Sequence, residues 1–130
     1  MNLMLKGLSA LAISLGAATT FAAPAYLTTH NRTGEESNAY IAGSIPSLYP
    51  TAAYSTNQVY WNLVKLACYG HTTNGKCPAL IKMATNTANP IDIGYVTLDL
   101  NTGDITPKTL SAKGYTLRAI GPGEAEITKN

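Results

Sequence analysis

Charge is scarce in this chain: Asp, Glu, Lys and Arg supply 12% of its 130 residues, and the formal net charge is +2. The few basic side chains are scattered, so the sequence offers no electrostatic footprint for nucleic acid. Phenylalanine occurs once, at Phe21, cysteine only at Cys68 and Cys77, and histidine only at His30 and His71. Neither histidine stands at a recognisable metal-ligand spacing from Asp or Glu, which argues against a metal centre, and no motif implies a cofactor. The serines, Ser37, Ser44, Ser47, Ser55 and Ser111 among them, lack a Gly-x-Ser-x-Gly elbow. The carboxylate pairs Glu35 with Glu36 and Glu124 with Glu126 read as a turn and as one face of an edge strand, where they keep the edge soluble. The chain is therefore not expected to be an enzyme.

Long apolar runs are missing too, apart from one near the start. Lys6 is the only Lys, Arg, Asp or Glu before Arg32, and an apolar run from Leu8 through Leu15 to Ala18 follows it. That order, ending in small residues at Thr20 and Ala22, is the pattern of a cleavable secretory signal, with cleavage expected after Ala22. The run is shorter than the ~20 apolar residues of a spanning helix, so no membrane span is expected in the mature chain. Residues 1–22 are read as signal peptide and 23–130 as a single domain, secreted or periplasmic.

An oxidising compartment gives the two cysteines one simple fate, a Cys68–Cys77 disulfide. It closes a polar loop from Tyr69 to Lys76 in which Asn74 and Gly75 predict a tight turn. Basic Lys76 beside a bridged cysteine is also the pattern of an inhibitor loop, but that role needs an extended backbone.

What the chain does have is tyrosine, eight copies, together with Thr, Asn and Ser. Short alternating segments recur about every ten residues between Gly, Pro, Asn and Asp clusters, the mark of an all-β antiparallel fold. The expected segments are Tyr26–Asn31, Ser37–Ala42, Cys77–Thr85, Ile91–Leu100, Asp104–Leu110, Tyr115–Ile120 and Glu124–Thr128, with 43–54 as a crossing loop around Pro46 and Pro50. Residues 26–42 are expected to form a hairpin or a sheet corner, and hairpins are expected at 91–110 and 115–128, with Lys113 and Gly114 turning the chain into Tyr115 and Gly121 to Gly123 leading to the last strand. The stretch 59–69 is ambiguous. Ser55 with Gln58 has the form of a capping box, and Val59, Leu63, Leu66 and Ala67 have helical spacing. We favour a strand, because setting Cys68 opposite Cys77 brings Leu66 to Ala79 and Val64 to Ile81 and leaves Lys65 and Lys82 on the other face with Trp61 and Leu63. The expected fold is an antiparallel β-sandwich of seven to eight strands, immunoglobulin-like or jelly-roll-like, with one disulfide-stapled hairpin.

By elimination, the candidate binding residues are Tyr69, His71, Asn74 and Lys76 in the disulfide loop and Tyr49 and Tyr54 beside the prolines, where Tyr40 and Tyr60 add to an aromatic contact surface. Their partner would be a protein or a glycan. The histidines read as lone surface residues. Asn31, Arg32 and Thr33 form a glycosylation sequon, relevant only in a eukaryotic secretory pathway. The alternatives are an envelope-associated structural protein without a dedicated ligand and, behind it, a small secreted enzyme or protease inhibitor.

The tracts WNLVKLAC (61–68), CPALIKMATNTANPIDIG (77–94), NTGDITPK (101–108) and GPGE (121–124) resemble small exported proteins of Legionella-type bacteria. The resemblance implies a secreted, disulfide-bearing protein of a bacterium that engages eukaryotic cells. It brings no catalytic residues.

Overall fold

A computed structural model describes residues 22–130, so the expected signal peptide, except for Ala22, lies outside the described residues. Strand β1 (Tyr26–Asn31) leads to β2 (Ser37–Ile41), the two-residue β3 (Ile45–Pro46) and β4 (Ser55–Tyr60). Helix α1 (Trp61–Cys68) comes next, then β5 (Lys76–Met83), β6 (Ile91–Asp99), the two-residue β7 (Ile105–Thr106), β8 (Thr109–Ala112), β9 (Tyr115–Gly121) and β10 (Glu124–Lys129). One sheet has the order β4-β1-β10-β9-β8 and the other β3-β2-β5-β6-β7. Together they form the expected sandwich.

Its interior follows from period-2 patterning. On β6, Ile93, Val96 and Leu98 are buried while Tyr95 is exposed, with a register shift opposite Ile81 and Lys82. On β10, Ala125 and Ile127 point inward beside Leu117 of β9, and Cys77, Ala79, Ile81 and Met83 line the inner face of β5. Each Val, Leu, Ile or Met side chain so enclosed contributes about 1.5–3 kcal/mol of transfer free energy.

Several sequence expectations are corrected. The segment 59–69 ends one strand and then turns helical: Trp61, Val64 and Cys68 are buried at spacings of three and four, which a strand cannot place on one face. The Trp61 indole donates to the Leu100 carbonyl at 3.0 Å, and its backbone N–H donates to the Ala25 carbonyl at 2.9 Å, fixing the helix start. Ser55 and Gln58 are strand residues, so they cap nothing. The hairpin across the cysteines is absent because β5 pairs with β2 and β6, and Cys77 sits opposite Leu98.

Of the two arrangements expected for 26–42, the sheet corner is the one formed, since β1 and β2 belong to different sheets. The 91–110 hairpin is cut short: β7 pairs with β6 at two positions, then the chain crosses to the other sheet as β8. The Glu124–Glu126 strand is interior, not an edge. β10 runs antiparallel to β9 and parallel to β1, a long-range pair that short-range hairpin logic does not reach. The hairpins at Lys113–Gly114 and Gly121–Gly123 are as expected.

Candidate functional site

Strand β4 is the edge of one sheet, and segment 45–51 the edge of the other. Ser47 donates its N–H to Ala39 at 2.8 Å, and Thr51 exchanges backbone bonds with Ser37 at 2.8 and 2.9 Å. Between these edges the sandwich is open at the side, and α1 covers one end of the opening. The result is a cavity of about 110 Å³. Leu27, Val59, Leu63, Val64 and Ala67 line its α1 end; Thr29, Ser37, Thr51 and Asn57 line the other. It reaches the surface at Tyr49 and Ala67, which are exposed.

The rim is polar but uncharged. Asn57 Nδ2 donates to the Tyr49 carbonyl at 3.2 Å, and Asn38 Nδ2 donates to the Ser47 carbonyl at 2.9 Å, so both amides brace the segment that carries Tyr49. Among the described residues, no charged one lines the cavity. Deeper in, Ser37 is 4% exposed and Thr51 5%, and among the described residues neither hydroxyl has a hydrogen-bond partner.

The disulfide is formed, with Cα atoms 6.0 Å apart and both cysteines buried. Its loop holds the expected tight turn, with Asn74 and Gly75 at φ 53° and 74° and Thr73 bridged to Lys76. Tyr69, His71, Asn74 and Lys76 are all exposed there. Cys68, however, also lines the cavity, so the bridge ties the last residue of α1 to β5 and holds one wall of the opening in place.

Tyr49 and Tyr54 are not brought together. Tyr54, at φ 54°, lies over Gly34 and borders a shallow depression with His30, Arg32 and Thr56, away from the apolar cavity. Tyr60 stacks at a tilt on Tyr26, ring centroids 5.1 Å apart. His71 is a surface residue, but His30 is not a lone one: its Nε2 lies 2.6 Å from Glu124 Oε2 and its Nδ1 2.9 Å from Thr56 Oγ1. Beside it Arg32 pairs with Glu126, whose carboxyl is held below the ordinary value, chiefly by the hydrogen bond from that guanidinium. The carboxylates that sequence assigned to an edge are thus cross-strand partners on the outer face. The sequon is structural. Asn31 is 2% exposed, its amide donates to the carbonyls of Glu35, Thr51 and Ala52, and its oxygen accepts from Thr33.

Sequence reasoning reached Tyr49 through its aromatic character but missed Ser37, Thr51, Asn57, Leu63 and Ala67. The helical spacing of Leu63 and Ala67 was the available signal; Ser37, Thr51 and Asn57 carry none by themselves.

Residues 1–130 match the family model described as T2SS substrate NttC. The crystal structure of the Legionella pneumophila type II secretion system substrate NttC is similar, with 95% identity, a TM-score of 0.82 and alignment over 83% of this chain and 100% of the solved one. No curated protein matches.

Proposed function

Since the chain belongs to the family of the type II secretion system substrate NttC, and is therefore a secreted protein, we propose that it is a non-enzymatic module that binds another macromolecule outside the cell. One observation carries this reading: the sandwich is open along one side, and the opening has an apolar interior with a neutral polar rim. Binding sites combine these features, a concave apolar surface and a few placed polar groups. Tyr49, an aromatic amphipathic residue at the mouth, is the kind of side chain that anchors contacts. The disulfide supports the reading by limiting the freedom of the α1 wall, which lowers the ordering cost of association.

The test uses the secreted protein, immobilised and presented with host-cell surface proteins and with a glycan array. Saturable binding at micromolar concentration or tighter is expected, and Tyr49→Ala and Ala67→Glu, both at exposed positions, should weaken it at least tenfold. Absence of saturable binding, or binding indifferent to both substitutions, would defeat the proposal and favour a structural role without a dedicated ligand.

A further inference from the structure

We infer that the side cavity takes one neutral, mainly apolar group carrying a single hydroxyl, an alkyl or aryl alcohol in chemical class. The inference rests on the binding-module reading, for which this group would be the part of the partner that is gripped.

Three features point there. First, the size suits one small group and no more: an apolar cavity of about 150 Å³ holds a benzene ring, and this one, about 110 Å³, is smaller but open at its mouth. Second, the two ends differ. Leu63, Val64 and Ala67 of α1 with Leu27 and Val59 make an apolar end, whereas Ser37 and Thr51, both hydroxyl residues, line the other. By strand alternation Ser37 points to the same side as Ala39 and Ile41, into the sandwich. Both residues are more than nine-tenths buried, and their hydroxyls meet no partner among the described residues. An unpaired buried hydroxyl is costly, so these two are poised for a polar atom brought in from outside. Third, nothing charged among the described residues lines the cavity, so a carboxylate or ammonium would be desolvated there without compensation.

The experiment titrates p-cresol, 1-hexanol and hexanoate into the secreted protein and follows the methyl resonances of Ala39, Ile41, Ala79 and Ala125. The two alcohols should shift these signals saturably at millimolar concentration or below, with hexanoate at least tenfold weaker. In Ser37→Ala and Thr51→Val, p-cresol should lose about five- to tenfold in affinity, the range of one hydrogen bond, while toluene is unaffected. Ala39→Leu, at a half-buried position, should block all probes, and Ala125→Leu repeats the test from the opposite sheet should the first variant misfold. No saturable shift, equal binding of hexanoate, or a cavity holding ordered water only with p-cresol present would overturn the inference. Such a failure leaves the macromolecule-binding measurement standing on its own result, so the two readings fail separately.

Discussion

Tyr115 shows how a single side chain couples the two ends of the chain. Its hydroxyl donates to Glu35 Oε1 at 2.7 Å, and Lys129 reaches Glu35 Oε2 at 3.5 Å. The Tyr115 hydrogen bond is the main cause that lowers the Glu35 carboxyl, with the charge of Lys129 adding to it; burial, then the neighbouring Glu35, raises the phenol of Tyr115. The signs are opposite in consequence. A lowered carboxyl stabilises the fold above its ordinary value of 4.5, and that contribution is lost as pH falls through the lowered value. A raised phenol stabilises below its ordinary value of 10.0 and is lost as pH rises through the raised one. Thermal unfolding followed across pH should therefore show an acid limb flattened by Glu35→Gln and an alkaline limb flattened by Tyr115→Phe. Unchanged limbs in both variants would show that the junction does not titrate with folding. Nothing local in the sequence announces this pair, since Glu35 looks like a turn residue and Tyr115 like the start of a strand.

Among the elements, legibility tracks the sequence distance of the partner. Strand β6 could be read because Val96, Leu98 and their exposed neighbours alternate by themselves, and the β8–β9 and β9–β10 hairpins because Lys113–Gly114 and Gly121–Gly123 mark their turns. Helix α1 could not, because eight residues satisfy either period and the deciding contact, indole to Leu100, spans 39 positions. The site was half legible for the same reason: the disulfide was nearly forced by count, whereas the cavity depends on which edges the topology leaves open. The count alone gives the bridge correctly, the hairpin register built on it is wrong, and its role shifts from stapling a hairpin to holding α1 on β5. Replacing both cysteines by serine should cost about 2–3 kcal/mol in urea unfolding, from loop closure alone. Trp61, buried at the far end of α1, should keep its native fluorescence if the indole bond anchors the helix independently of the bridge. Loss of that signal under native conditions would mean that the bridge alone holds α1.

At the scale of the molecule, two turns and the start of the described chain close one end of the sandwich, and glycine makes this possible. Gly123 donates its N–H to the Gly103 carbonyl and accepts from Thr28, both at 2.7 Å, which joins the β6–β7 turn, the β9–β10 turn and β1. Pro24 packs into the same junction. A Cβ on Gly123 would lie 2.7 Å from Pro24 Cγ and 2.8 Å from the Tyr26 carbonyl oxygen, and one on Gly103 would lie 2.6 Å from Pro24 Cδ. Both glycines also have positive φ, +62° and +81°, where a side chain costs about 1–2 kcal/mol before any contact is counted. Gly114 separates the two causes, because its φ is +86° and a Cβ there meets nothing within 4 Å. Gly114→Ala should therefore lose only the backbone increment in urea unfolding. Gly123→Ala should lose clearly more, since the backbone carbonyl of Tyr26 cannot yield as a flexible side chain would. Equal losses at the two positions would mean that the junction relaxes freely and does not hold the parallel β1–β10 pair in register. A larger loss at Gly123 would instead make residues 23–25 part of the folded domain, stitched between the turns of both sheets.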